Sequence, residues 1–333
     1  MQRSGLDDLD LQLIHALQLE PRAPWNVLAG VLGTDAVTLA RRWARIETEG
    51  YAWITALGGS ARIGAGAIVE FSCEPGEVLR AADAAAAVPE IYSIDLTAGR
   101  RDFVATLVAA DDDQLADFVL DRLGSVPGVR SIRTHVVNDV VRLGSDWTVQ
   151  ALSPGQRTLI PAPRPPRPGA ARHIPADLAR GIRLALSDDP RAAYAAVGTA
   201  VGISAQRAAD AIALLRRTGD LVLRTDVAGP HSNWPLAAWY FVQVPAPSLV
   251  ESAQALVDLP AVQYASITTG PGNLIVAAGA RTKPEVLRIE AELERRMPGA
   301  RIIDRSMVLR VHKHLGRLLD ARGRSTGRSV PIP

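Results

Sequence analysis

The sequence has little of what announces most functional classes. Its 333 residues hold one cysteine, Cys73, which excludes an intrachain disulfide framework and a thiolate zinc cluster. Set in an apolar run, Cys73 reads as a buried thiol. No uninterrupted apolar run approaches the ~18 residues of a membrane span, and the opening MQRSGLDDLD carries no signal-peptide core, so a cytoplasmic protein is expected. Net charge is only +2, so no global basic field advertises nucleic acid and any DNA-binding surface has to be local. There is no glycine-rich phosphate loop, nucleophile elbow or carboxylate cluster. His312 and His314 alternate on one strand, but two ligands make no metal site. No catalytic residue, metal or cofactor is expected.

What is there is a soluble globular composition, 47% hydrophobic and 22% charged, in a chain too long for one ordinary core and suited to several domains. The sequence is also written twice. The stretch from Glu20 to Ile54 aligns without a gap on Asp189 to Leu223, bringing Pro21 and Arg22 onto Pro190 and Arg191, Trp25 onto Tyr194, Gly33 onto Gly202 and Gly50 onto Gly219. Farther on, Val88–Val108 meets Leu259–Gly279, with Gly99 opposite Gly270, and Pro127–Ile132 meets Pro298–Ile303. Between the copies, Leu152 to Pro175 crowds proline with small residues and arginine, a composition that favours extended polyproline II over helix or sheet. The expected division is 1–56, 61–142, a linker at 143–175, 176–228, 236–314, and a basic tail at 315–333 to which no fold is assigned.

Within 1–56, apolar residues recur at helical spacing three times: Leu6, Leu9, Leu13, Ile14 and Leu17; Trp25, Leu28, Ala29 and Leu32; Leu39, Trp43 and Ile46. Gly33 stops the second helix, Asp35 caps the third and Gly50 ends it. Two helices across so short a turn are a helix-turn-helix, whose second helix enters the major groove. At 100° per residue Ala36, Leu39, Trp43 and Ile46 face inward, Val37, Thr38, Arg41 and Arg45 outward, and Arg42 lies at the border. Arginine can pair with phosphate or fork onto guanine, and small residues early in the helix can approach bases. With Arg22, Arg207 and Arg216 these are the candidate DNA contacts. The plain alternative is a solvated face with Glu47 and Glu49 as helical ion-pair partners. In 176–228 the core stripe Ala205, Ile212 and Leu215 and the cap Ser204 survive, yet Asp210, Ala211 and Leu214 stand where the first copy has Arg41, Arg42 and Arg45. A carboxylate repels phosphate and an outward leucine invites protein, so the copies should be unequal, the first doing most of the reading.

The second block of each copy reads as β-α-β-β-α-β: Ala67–Phe71, Gly76–Ala87, Ile91–Leu96, Phe103–Val108, Asp112–Leu123 and Val129–Val141, repeated from Ala237 to His312. That order is a ferredoxin-like antiparallel sheet covered on one face by two helices. The fold class expected is therefore α+β, in two tandem units, each a three-helix helix-turn-helix, winged or plain, followed by a ferredoxin-like domain.

The pattern LDDLDLQLI, ARRWARIETEG, TAGRRDF and SVPGVRSI resembles the Lrp/AsnC family of feast-or-famine regulators, over both copies and nearly the whole chain outside linker and tail. The resemblance implies a helix-turn-helix joined by a strand to a ligand-sensing (RAM) domain, double-stranded DNA as partner, homo-oligomers formed by pairing of sensing-domain sheets, and small effectors, frequently amino acids, bound beside the turn that matches Thr97 to Asp102. There Gly99 frees backbone amides to approach a carboxylate, and Arg100, Arg101 and Asp102 offer matched charges. The second copy keeps the turn, as Thr268, Thr269, Gly270, Pro271, Gly272 and Asn273, and loses the charges. An ordinary hairpin turn is the alternative for both. Siroheme decarboxylases resemble the same fold and also occur as two fused halves, but their His-Asn-Tyr and Tyr-Asn-Leu-Trp-Phe runs are absent: this chain has Tyr92, Ser93 and Ile94, then Asp102, Phe103 and Val104. A third reading is an interaction protein that has lost DNA binding, favoured by the near-neutral charge, Asp210 and Leu214.

Overall fold

The computed structural model describes residues 5–58 and 64–330. In chain order the elements are α1 (Asp8–Leu19), α2 (Trp25–Leu32), α3 (Ala36–Thr48), β1 (Ala52–Gly58), β2 (Ala65–Cys73), α4 (Val78–Ala86), β3 (Ile91–Ala98), β4 (Phe103–Ala109), α5 (Asp112–Asp117) and β5 (Val129–Arg142). After α6 (Pro154–Thr158) the same succession follows: α7 (Ala176–Asp188), α8 (Tyr194–Ala200), α9 (Ala205–Thr218), β6 (Leu221–Val227), β7 (Leu236–Gln243), α10 (Leu249–Gln254), β8 (Val262–Thr268), β9 (Leu274–Ala280), α11 (Lys283–Arg296) and β10 (Arg301–His314). Two short strands, β11 (Arg317–Leu319) and β12 (Ser325–Ser329), end the chain. The expected first residue of the first sensing segment, at 61, and the last three residues of the tail lie outside the described residues.

The chain forms two compact units, and neither is one continuous stretch of sequence. Residues 1–62 with 148–227 make the first, and 63–147 with 228–333 the second. Like elements sort together: the helix triplets α1–α3 and α7–α9 fall in the first unit, and the α+β segments β2–β5 and β7–β10 in the second.

In the helical unit, local chemistry sets the boundaries. Asp7 and Asp10 close a reciprocal capping box on α1. Gly33, left-handed at φ 67°, ends α2, and the Asp35 carboxylate accepts from the Thr38 amide at 2.8 Å to start α3. Leu39, Trp43 and Ile46 are buried, the inward stripe the periodicity predicts. After the third helix of each copy the strand does not turn back as a wing. β1 and β6 pair with each other, antiparallel from Ala52 opposite Val227 to Gly58 opposite Leu221, centred on Thr55 opposite Arg224. Thr55 and Arg224 are equivalent positions of the repeat, so a local pseudo-twofold passes through that pair.

The second unit closes on itself. Each half has the strand order of a ferredoxin-like sheet, β3-β4-β2-β5 and β8-β9-β7-β10, and β5 and β10, 14 residues each, belong to both halves. The first part of β5 pairs with β2 and its end with β8; the first part of β10 pairs with β7 and its end with β3. The two seams share one register, Val137 facing Thr268 and Val308 facing Thr97. Eight strands thus form a ring with the helices outside. One helix-covered core is built on Phe71, Phe103, Ile91 and the alanines of α4, the other on Tyr240, Val242, Val276 and Leu293. Ile68, Val104, Trp239, Phe241 and Ile275 cluster on the inner faces. Two cations hold the ring to its helices at equivalent places: Arg142 donates to the Val257 and Leu259 carbonyls at 2.6 Å, and Lys313 to those of Ala86 and Val88 at 2.8 and 2.9 Å. Burial pushes the Lys313 ammonium down to about 8.

Three expectations change. The segment 143–175 is not a bare linker: Trp147 donates to the Pro260 carbonyl at 3.1 Å and meets Trp234 edge-on, the Leu152 amide donates to His15 Nδ1 at 2.8 Å, and Ser153 caps the short α6. Its scattered apolar residues were masked by the surrounding prolines. The tail is not foldless either, because the Asp320 carboxylate accepts from the Arg322 and Arg324 amides and nucleates the β11–β12 turn. Finally, the sensing-domain sheets pair within this chain, the alternative to the favoured pairing between chains, which removes the reason for homo-oligomers through those sheets.

Candidate functional site

On α3 the described geometry separates the arginines. Val37 is 78% exposed and Arg41 and Ala44 are exposed with it, forming one open stripe, with Thr38 half-buried beside it. Arg42 instead donates to Asp7 and Asp10 at 2.7 and 2.8 Å, whose hydrogen bonds hold its pKa above the usual guanidinium value. Arg45 reaches Asp10 at 2.5 Å and Glu49 at 3.1 Å. Asp10 is buried, so both arginines neutralise an interior carboxylate and fix α3 against α1. They are positioning residues, a correction to their expected role as DNA contacts. The solvated-face alternative had the right idea with the wrong main partner.

Arg22 and Arg216 are also corrected. Arg22 donates to the Pro190 and Ala192 carbonyls at 2.6 Å, and its counterpart Arg191 donates to those of Pro21 and Ala23. The guanidinium carbons lie 4.8 Å from the Tyr194 ring centroid and 3.8 Å from that of Trp25 respectively. This reciprocal clasp joins the segment before α2 to the segment before α8. Arg216 forms a two-pronged ion pair with Glu20, 2.8 Å on each prong.

The matching stripe of α9 is closed. Ala208 through Leu215 are all buried, and only the ends, among them Arg207 and Arg217, are exposed. Asp210 does not face phosphate. Arg164 reaches it at 3.3 Å and Arg167 at 3.0 Å, so the proline-arginine arm lies on the face that α3 leaves open. Burial acts to raise the Asp210 pKa, but the Arg167 hydrogen bonds outweigh it and the value falls below the usual carboxylate range. Leu214, expected outward, is buried too.

The two hairpin turns are built alike. Thr97 Oγ1 donates to the Arg101 carbonyl and Thr268 Oγ1 to that of Gly272, both at 3.0 Å. Asp102 accepts the Cys73 amide at 2.7 Å, and Asn273 accepts the Val244 amide and donates to its carbonyl, both at 2.8 Å. These side chains brace the turns. Gly99, at φ 131°, lies where a Cβ would come within 3.0 Å of Ser306 Oγ, and Gly270 where one would meet His135 Nδ1 at 3.1 Å. Thr269 Oγ1 accepts from the Val136 amide at 3.0 Å. Of the expected charged trio only Arg100 is exposed.

Arg101 turns inward, with Nε 2.6 Å from Glu70, Nη1 2.7 Å from Ser306, Nη2 on Asp304 and its plane 4.0 Å from the Phe241 centroid. His135 Nε2 lies 2.6 Å from the other Glu70 oxygen and its Nδ1 3.2 Å from the Thr269 carbonyl. Burial would raise the Glu70 pKa, yet the His135 hydrogen bond and Arg101 outweigh it and lower it. This network links the turns through Glu70, His135, Asp304 and Ser306, none of which the sequence singles out. They stand on three strands, β2, β5 and β10, and no spacing rule brings them together before the ring is known.

Residues 6–47 match the model of the AsnC-type helix-turn-helix domain, and 66–144 that of the Lrp/AsnC ligand binding domain. Both matched domains of this pair lie within residues 6–144. Transcription regulation and DNA binding are the activities of that pair. An uncharacterized HTH-type transcriptional regulator of Pyrococcus furiosus is 25% identical over 144 residues, 42% of this chain and 96% of that one. The HTH-type transcriptional regulator FL11 of Pyrococcus horikoshii is 28% identical over 138 residues, 40% of this chain and 91% of the relative. The siroheme decarboxylase NirDL is similar in fold over 93% of both chains, with a TM-score of 0.57 and 15% identity. No helix among the described residues is long and apolar enough to cross a membrane.

Proposed function

We propose that this chain is a sequence-specific DNA-binding transcriptional regulator made of two tandem copies of one unit, reading DNA with α3 and responding to a small effector, such as an amino acid, at the sensing halves. One observation carries the reading: the outer stripe of α3 is open while the same stripe of α9 is covered by the chain's own arm. Val37 and Thr38 can approach bases and Arg41 is the arginine best placed for guanine or phosphate. Around the turns, Arg100 is the exposed charge for an effector carboxylate. A mobility-shift titration on the protein's upstream region, at stated salt and with an amino-acid panel, tests it. Arg41→Ala should weaken binding ten-fold or more, and Arg207→Ala should change it less than three-fold. Intact specific binding in Arg41→Ala with loss in Arg207→Ala would reverse the assignment.

The second reading, a siroheme-decarboxylase-like enzyme, is favoured by the fold likeness over nearly the whole chain. Its test is the absorbance spectrum of siroheme with the purified protein: an unchanged spectrum leaves the regulator, and decarboxylation turns the assignment over to the enzyme.

A further inference from the structure

Residues 147–176 include Arg157, Arg164, Arg167 and Arg172 and no acidic residue, a dense local positive charge in a chain whose net charge is only +2. An extended proline run has about three residues to the turn, so Arg164 and Arg167 project on one side, and both reach Asp210. The pairing is uneven. Asp210 is 8% exposed, whereas the Arg164 and Arg167 side chains keep 39% and 56% of their surface in water, and 162–165 and 167–169 are exposed around them. Ion pairs with so wet a cation hold weakly and exchange readily. Asp210 aligns with Arg41, so a carboxylate stands on α9 at the position that carries the exposed arginine on α3. To a guanidinium that carboxylate offers the same paired oxygens as a phosphate.

We propose that the arm is a second DNA contact, in which Arg164 and Arg167 exchange Asp210 for backbone phosphates of the duplex that α3 reads; this rests on the regulator reading. The antiparallel β1–β6 pairing about Thr55 and Arg224 and the reciprocal Arg22 and Arg191 bonds relate α3 to α9 by a local twofold. A duplex lying across that axis meets α3 on one side and the arm on the other. Phosphate contacts position a protein and carry no sequence information, so the arm adds affinity while α3 selects. Asp210 is then an internal competitor that holds the arm when no DNA is bound.

Fluorescence anisotropy of two labelled duplexes, one from the protein's upstream region and one unrelated, titrated with the full chain at several salt concentrations, decides it. Arg164→Ala combined with Arg167→Ala should weaken both duplexes by the same factor, ten-fold or more, and make the slope of log affinity against log salt shallower by about 2. Asp210→Asn, which removes the competitor, should strengthen both three-fold or more. Adding Asp210→Asn to the arginine pair should leave the slope shallow. Recovery of the wild-type slope there would mean that the arginines only mask the Asp210 charge, and overturns the contact. Unchanged affinity in Asp210→Asn overturns the exchange. Arg164 and Arg167 are exposed, so far-UV circular dichroism and melting should show the arginine variant folded. Wild-type affinity and slope in that variant overturn the arm and leave the regulator standing, whereas no binding of either duplex by the wild type overturns both.

Discussion

Arg41 and Arg42 are neighbours in sequence with opposite fates, because one residue along a helix turns a side chain by 100° and here moves it from solvent to the Asp7–Asp10 pair. Arg42→Ala removes a partner of buried Asp10, and thermal unfolding should show a loss of about 1–3 kcal/mol with a smaller effect on DNA affinity than Arg41→Ala. His15 gives a pH signature: burial, with Arg157 nearby, lowers its pKa to about 4. Between about 4 and the unfolded value of 6.5 the unfolded chain binds the extra proton, so stability rises with pH across that window, by up to roughly 3 kcal/mol. In His15→Gln, whose amide oxygen can still accept the Leu152 amide, melting temperatures between pH 4 and 6.5 should lose much of this slope. Asp95 has the opposite sign. Burial, opposed by the Trp239 hydrogen bond and His314, pushes its carboxyl up to about 6, so the folded state holds the proton longer and stability falls as pH rises from 3.8 to about 6. Asp95→Asn should raise the melting temperature at pH 7 and leave it nearly unchanged at pH 4. None of these environments was legible in the sequence. The caps at Asp35 and Ser204 were, because a cap is a local hydrogen bond, whereas Asp10, His15 and Asp95 take their environments from residues far along the chain.

At the scale of elements, periodicity located α1 to α3 and the alternating β2, since an amphipathic stripe needs only its own residues. It failed where pairing is non-local: β1 with β6, and the ends of β5 and β10 in the opposite half's sheet. The arm over α9 was unreadable for a similar reason, as a proline-rich run gives no register and Asp210 does not name its partners. With Arg164→Ala and Arg167→Ala combined, limited proteolysis should cut within 160–175 faster than in wild type, at unchanged melting of the second unit. Equal cleavage rates would mean the two ion pairs do not hold the arm. The arm's hold on Asp210 should persist at pH 5, because the Asp210 pKa is lowered and its stabilisation is lost only as pH falls below the ordinary carboxylate value.

At the scale of the whole chain, pairing within the ring satisfies strand edges that separate ferredoxin-like sheets would offer to neighbours. Sedimentation at micromolar concentration should therefore return the 35.5 kDa mass of one chain, and a stable dimer mass would show that another surface drives assembly. A symmetric homodimer must carry the same residue at both ends of its axis, whereas two similar stretches of one chain are free to differ, as the open α3 and the covered α9 do. The covered α9 extends that freedom to the genome. If α3 is the single reading helix, as proposed, the recognised DNA needs no inverted repeat, and the binding sites would be short, directional words that genomic searches for palindromes pass over.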